Sequence, residues 1–276
     1  MLLKTKTKTF HLAERTHIMG ILNVTPDSFS DGGSYTTLKQ AVDQAVLLEE
    51  QGADIIDIGG ESTRPGYEAV PAKDELDRVL PAIRAVKQHV NIPISIDTYK
   101  AETARQAVEA GADMINDIWG GKRDPGILKV AAAYNVPIIL MHNRTNMDYT
   151  SLIDDMLHDL QESIDMALKA GVPDENIILD PGIGFAKTAA DNLIVMNHLE
   201  MFSELGYPIL LGTSRKGFIG KILDLPAEER DNGTGATTCL GITKGMHIIR
   251  VHNVKVNTEL ARMMDAMLGK GAAANG

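Results

Sequence analysis

The chain has 276 residues, 44% apolar, 23% charged and 4% aromatic, with a formal net charge of −10. A fold of that length hides about 75% of its unfolded surface, so it can build a full core, and the composition is that of an ordinary globular protein. The acidic balance and the scarcity of aromatics exclude a general nucleic-acid binder, which needs a basic footprint and stacking platforms.

In chain order, residues 1–12 read as a small hairpin closing the bottom of a barrel. The apolar run 17–22 predicts a strand. It leads into Asn23-Val24-Thr25-Pro26-Asp27-Ser28-Phe29-Ser30-Asp31-Gly32-Gly33, a polar, Gly-bracketed loop longer than a connection requires. Such loops cover or build sites. A helix follows near 38–51, then a strand at 54–58, a second flexible loop from Gly59 to Gly66, and a helix at 73–89. Strand and helix then alternate at 93–97 and 100–110, 113–116 and 125–134, 136–141 and 150–170, 176–180 and 188–205, 208–213 and 234–246, and 248–252 and 255–268. Eight strand–helix units predict a single (β/α)₈ TIM barrel over 1–276, with 270–276 a loose tail. A doubly wound sheet is the rival, but Gly182-Ile183-Gly184 lacks the third glycine of a dinucleotide fingerprint. Gln51-Gly52-Ala53-Asp54-Ile55-Ile56-Asp57-Ile58-Gly59 resembles Ala110-Gly111-Ala112-Asp113-Met114-Ile115-Asn116-Asp117-Ile118, each with Gly ending a helix before a buried strand.

The only cysteine, Cys239, excludes an intrachain disulfide and a Cys-based metal site; in its small-residue helical stretch it reads as a buried hydrophobe. No signal-peptide core precedes the first strand, and no apolar run approaches the roughly 18 residues of a membrane span, so a cytoplasmic location is expected.

The predicted strands start apolar and end polar. Their carboxyl ends supply Asn23, Asp57, Asp97, Asn116, His142, Asp180, Ser214 and the pair Arg250 and His252. Buried parallel strands should read as continuous Val, Ile and Leu, and carboxylates at that depth need partners. In a barrel all eight ends converge on one rim, where active sites lie. Strand alternation puts Arg250 and His252 on one face. That pair points to a bound anion, with buried salt bridges to Asp or Glu as the alternative. Lys216 follows strand seven, where barrels often bind phosphate, and Arg64 reaches the same rim from the second loop or sits as a solvated surface charge. Asp97, Asn116 and Asp180 suit a flat heterocycle with several N–H donors, such as a pterin or a guanine, because carboxylates accept while an amide donates and accepts. A glycosidase-like carboxylate pair is the weaker reading, since it leaves the cations without work. The eight histidines show no His-Glu-x-x-His spacing, so a zinc site is not expected.

These residues resemble the dihydropteroate synthase family. The resemblance runs through most of the chain: Gly20 to Gly33, Asp57 to Gly66, Ser95-Ile96-Asp97-Thr98, Ile115-Asn116-Asp117, Asp180-Pro181-Gly182-Ile183-Gly184-Phe185, Ser214-Arg215-Lys216-Gly217-Phe218 and Arg250-Val251-His252. It implies a transferase joining 6-hydroxymethyl-7,8-dihydropterin diphosphate to 4-aminobenzoate, with release of diphosphate. By the same resemblance Asp97, Asn116, Asp180 and Lys216 hold the pterin, and Asn23, Arg64, Arg250 and His252 surround the diphosphate. Mg²⁺ bridges the diphosphate and Asn23. The first two loops close to bring in Asp31, Thr63 and Arg64, and 4-aminobenzoate lies near Thr63, Pro65, Phe185, Ser214 and Lys216. The catalytic set is Asp31, Arg64, Asp97, Lys216, Arg250 and His252. The resemblance further implies a homodimer and a sulfonamide target. The alternatives are a pterin-dependent methyltransferase of the same barrel family, with a corrinoid partner, and a non-catalytic pterin-binding relative.

Overall fold

Gly52 and Gly111 stand at φ +101° and +124°, a region that side chains resist, and so end their helices and turn the chain inward. The aspartate two residues later does the same work in both segments. Asp54 Oδ2 accepts the Ile18 N–H at 3.1 Å, and Asp113 Oδ2 accepts the Ile94 N–H at 3.0 Å. Arg15 Nη1 and Lys87 Nζ hold these carboxylates at 2.9 and 2.6 Å. The two similar segments thus share a mechanical role: each carboxylate ties the start of its strand to the neighbouring strand.

The computed structural model describes residues 1–25, 34–61 and 70–271. A hairpin of β1 (Leu2–Lys4) and β2 (Thr9–His11) comes first. The main sheet contains β3 (His17–Asn23), β4 (Ile55–Gly59), β5 (Ile94–Asp97), β6 (Met114–Asp117), β7 (Ile138–Met141), β8 (Ile177–Asp180), β9 (Leu210–Leu211) and β10 (Ile248–Val251). Its order is β8-β7-β6-β5-β4-β3-β10-β9, parallel throughout, and a bridge from Leu179 to Ile209 joins the two edges. The eight-stranded sheet therefore closes on itself as the expected barrel. Around it run α1 (Ser34–Glu50), α2 (Ala72–Lys87), α3 (Ala101–Ala110), α4 (Gly126–Tyr134), α5 (Leu152–Lys169), α6 (Ala189–Asn197), α7 (Gly217–Leu223), α8 (Asp231–Thr243) and α9 (Val254–Met267).

Three expectations need correction. The helix expected over 188–205 stops at Asn197 and continues as a 3₁₀ segment from Leu199 to Leu205. Its buried Leu199 and Phe202 are three residues apart, the period of that tighter helix. The strand expected over 208–213 is confined to Leu210–Leu211, and α7 was not anticipated. Cys239 is half-buried rather than fully enclosed.

The barrel interior has two levels. Met19, Ile55, Met114, Ile139, Ile178, Leu210 and Ile248 form an apolar floor, sealed from below by Leu3 and Phe10 of the hairpin and by Leu12. Two residues further along the same strands, side chains point inward again. Those positions are Ile21, Asp57, Asn116, Met141, Asp180, Gly212 and Arg250. A polar collar thus stands directly on an apolar floor. The outward faces pack against the helices in a second, larger apolar layer that includes Ile18, Ile56, Ile96, Ile115, Leu179 and Ile249.

Candidate active site

The collar is built on neighbouring strands in fixed register. Gly59 pairs with Asp97, and Asp97 with Asn116. Gly59 has no side chain to separate its neighbours: a carbon there would lie 3.5 Å from Asp97 Cβ and 3.8 Å from Asn23 Oδ1. Asn23, at the end of β3, faces this space half-buried.

Arg250 crosses the barrel mouth. Its Nε donates to Asp57 Oδ2 at 2.6 Å and its Nη2 to Asp97 Oδ2 at 2.7 Å. Asn116 Nδ2 also donates to Asp57 Oδ2, at 3.0 Å. The buried ion pairs left open by the sequence are therefore present. Among the described residues, Asp57 Oδ1 and Asp97 Oδ1 stay buried without a hydrogen-bond partner. A buried acceptor with no donor is costly and marks a place where a ligand can supply one. Burial pushes the Asp97 carboxyl well above the usual range, against the pull of Arg250 and with help from Asp57.

Asp180 lies on the same collar. Its Oδ1 accepts the Gly182 N–H at 2.7 Å, and burial raises its pKa against the pull of Lys216 and Arg250. A carbon on Gly212 would lie 3.7 Å from Asp180 Oδ2 and 4.0 Å from Arg250 Cβ, so carboxylate and guanidinium share one mouth. Lys216 precedes α7, donates to the Ile183 carbonyl, and holds its ammonium 4.8 Å from the centre of the Phe185 ring. Burial lowers its pKa to about 8, with Asp180 and Asp97 opposing the shift. Gly184, at φ +86°, lets the lysine stem pass; a carbon there would meet Lys216 Cδ at 2.9 Å. Ser214 Oγ accepts the His252 N–H at 3.1 Å and lies 2.9 Å from His252 Nδ1, joining the ends of β9 and β10.

The structure thus gathers Asn23, Asp97, Asn116, Asp180, Phe185, Ser214, Lys216, Arg250 and His252 at the carboxyl ends of the strands. Asp31, Thr63, Arg64 and Pro65 lie outside the described residues. Sequence reasoning gave no role to Asp57, which aligns both Asn116 and Arg250. The available signal was parity: Asp57 shares a face with Ile55 and Gly59. It also missed Asp117, whose two oxygens hold the Trp119 and Gly121 N–H groups at 2.8 and 2.6 Å and shape the loop beyond Asn116. Chemically, the collar offers unpaired acceptors low in the mouth and cations around them. It suits a flat, donor-rich ring carrying an anionic group.

Comparison with known proteins agrees with this chemistry. A family model described as pterin binding enzyme matches residues 19–252. The chain is similar to a dihydropteroate synthase of Bacillus subtilis, 60% identical over 99% of this chain and 95% of the relative. Among solved structures it is similar to a Clostridium difficile dihydropteroate synthase crystallised in the presence of pteroic acid, with TM-score 0.92 and 49% identity over 94% of this chain and 98% of the other. It is likewise similar to the Xanthomonas albilineans dihydropteroate synthase with 4-aminobenzoic acid, with TM-score 0.92 and 41% identity over 97% of this chain and 98% of the other.

Proposed function

This chain belongs to the dihydropteroate synthases of the pterin-binding enzyme family, and from that premise we propose how its rim residues divide the work. The enzyme is a transferase that joins 6-hydroxymethyl-7,8-dihydropterin diphosphate to 4-aminobenzoate, releasing diphosphate and forming 7,8-dihydropteroate. The observation that carries the reading is the buried Oδ1 of Asp97, without a partner among the described residues, whose other oxygen is held by Arg250. Asp97, Asn116 and Asp180 receive the guanidine-like edge of the pterin, where carboxylates accept and the amide does both. Lys216 borders the pterin and, with Thr63, Pro65, Phe185 and Ser214, the aminobenzoate. Arg250, His252, Arg64 and Asn23 surround the diphosphate.

In the reaction the C–O bond of the pterin methylene breaks and its electron pair leaves with the diphosphate. Arg250, His252 and Arg64 stabilise that developing charge. In the free protein Arg250 uses two of the five N–H donors of a guanidinium on the aspartates, which leaves three to turn toward an anion. The methylene left behind is electron-poor and conjugated with the ring, and the Asp97 carboxylate stabilises it. The aryl amine then forms the C–N bond and sheds a proton to water. Asp31, Thr63 and Arg64, which lie outside the described residues, are assigned to the same site on the resemblance to the family.

The residues fit Mg²⁺. Asn23 presents a neutral hard oxygen at the mouth, and Mg²⁺ characteristically takes few protein ligands and completes its shell with water and substrate phosphates. Among the described residues there is no cluster of three or more His, Cys, Asp or Glu that could hold a metal. When bound, the ion supplies charge neutralisation at the leaving diphosphate.

Exposed apolar side chains on the last three helices, Ile222, Leu223, Leu240, Met263 and Met267, support a homodimer built on that side. Among the described residues no helix is long and apolar enough to cross a membrane, and we place the enzyme in the cytoplasm. The deciding assay mixes protein, Mg²⁺, dihydropterin diphosphate and 4-aminobenzoate and follows diphosphate release with and without the amine. Amine-dependent release with formation of dihydropteroate is expected. Release indifferent to the amine, or none, overturns the reading.

A further inference from the structure

Lys187 lies on the turn after β8, outside the collar, and is 8% exposed. Its ammonium has three protons and the structure gives each an acceptor: the Gly182 carbonyl at 3.0 Å, the Phe185 carbonyl at 2.9 Å and His142 Nδ1 at 2.9 Å. An ammonium only donates, so His142 Nδ1 accepts and its ring proton sits on Nε2. Nε2 then donates to Asp159 Oδ2 at 3.0 Å, on α5. Arg144 Nε reaches that same oxygen at 2.5 Å. A chain of polar contacts thus runs from a helix on the outer layer, through the buried His142 ring, to the two ends of one short turn.

That turn is unusual. Gly182, Gly184 and Ala186 stand at φ +67°, +86° and +47°. Alternate residues are left-handed, and for Ala186 the conformation carries strain that the surroundings must hold. Tyr149 Oη donates to the Ala186 carbonyl at 2.9 Å, and Lys187 pins the Gly182 and Phe185 carbonyls. Three other groups of the turn face the site: Gly182 N–H on Asp180, the Ile183 carbonyl under Lys216, and the Phe185 ring beside the Lys216 ammonium.

We propose that Lys187 is a positioning residue for the aminobenzoate side of the site, fixing the 182–185 turn through Gly182, Phe185 and His142 so that Phe185 and Lys216 form one rigid wall. The inference rests on the assignment of Phe185 to the aminobenzoate pocket. Lys187 touches no substrate; its removal loosens the wall and leaves the chemistry at the collar in place.

Lys187→Met keeps the length of the stem and removes all three donors. The expected result is a rise of roughly tenfold in KM for 4-aminobenzoate, with KM for dihydropterin diphosphate changed by less than about twofold and kcat within about threefold. A role in folding alone lowers the active fraction, and so apparent kcat, without moving either KM. His142→Leu leaves Lys187 in place and removes one acceptor, so a smaller rise in the same KM is expected and the test survives if Lys187→Met folds poorly. Unchanged KM for the aminobenzoate in both variants overturns the inference. Phe185→Ala separates the two levels: if it leaves that KM unchanged, the pocket assignment fails; if it raises KM while the Lys187 and His142 variants do not, only the positioning role fails.

Discussion

Replacing Arg250 by methionine keeps most of its stem and removes the guanidinium that spans the barrel mouth. Two contacts disappear, to Asp57 Oδ2 at 2.6 Å and to Asp97 Oδ2 at 2.7 Å. Both aspartates are buried, at 0% and 4% exposure. Removing one partner of a buried ion pair costs about 3–5 kcal/mol. Asp57 keeps Asn116 Nδ2 at 3.0 Å, and a carboxyl can shed its charge by taking a proton, so the lower end, about 3 kcal/mol, applies near neutral pH. The loss must also depend on pH. Burial already raises Asp97, and losing Arg250 raises it further. A carboxyl whose native pKa exceeds its unfolded value binds more protons when folded, so its contribution to stability falls as pH rises between the two values. Arg250→Met is therefore destabilised less at about pH 5 than at about pH 8. Urea unfolding at both pH values, followed by the fluorescence of the single tryptophan, Trp119, measures this. In turnover the variant loses roughly 10²–10³ in kcat, the scale of losing one charge-stabilising donor. Equal destabilisation at both pH values, a loss under about 1 kcal/mol, or kinetics matching the parent enzyme refutes the argument.

Asp180→Asn turns an acceptor partly into a donor and should weaken pterin binding by roughly 10- to 100-fold, from about 1–3 kcal/mol for an unsatisfied buried partner; calorimetry with unchanged pterin affinity would refute that role. The Lys216 ammonium, at about 8, should set an alkaline limb on kcat/KM for the pterin substrate, which falls above that pH instead of above the ordinary lysine value. The raised carboxyls of Asp97 and Asp180 set the acid limb above the usual carboxylate range. A profile flat through the region around pH 8 contradicts the lysine assignment.

The barrel was legible because its signals are local. Gly-Ala-Asp before a strand encodes a helix stop and a strand start within three residues, and both copies fold alike. The polar strand ends were legible because a carboxylate has no cheap place in a strand buried on both faces. Segments with conflicting local signals were harder. The stretch 188–205 carries apolar residues at helical spacing, yet His198, at φ −119°, breaks the α-helix, and His198 Nδ1 turns back to the Ile194 carbonyl at 2.8 Å. α7 is seven residues long and opens on glycine, too short to show a period. Least legible were partnerships across the barrel. Arg250 is 193 residues from Asp57 and 153 from Asp97. Lys187 meets His142 across 45. No local pattern specifies which carboxylate or ring a buried cation will meet; strand register decides it.

Floor and collar occupy the same strands, two positions apart, and this makes the molecule intolerant of a particular kind of error. Losing or gaining one residue inside β4 would swap the roles of neighbours: Asp57 would swing into the helix layer and Ile56 or Ile58 would take its place against the substrate. The same holds for Asn116 on β6, Asp180 on β8 and Arg250 on β10. A slip that ruins the chemistry therefore strands a charge, or on β6 an unpaired amide, in hydrocarbon at the same stroke, so in these strands length variants cannot persist as well-folded but idle proteins.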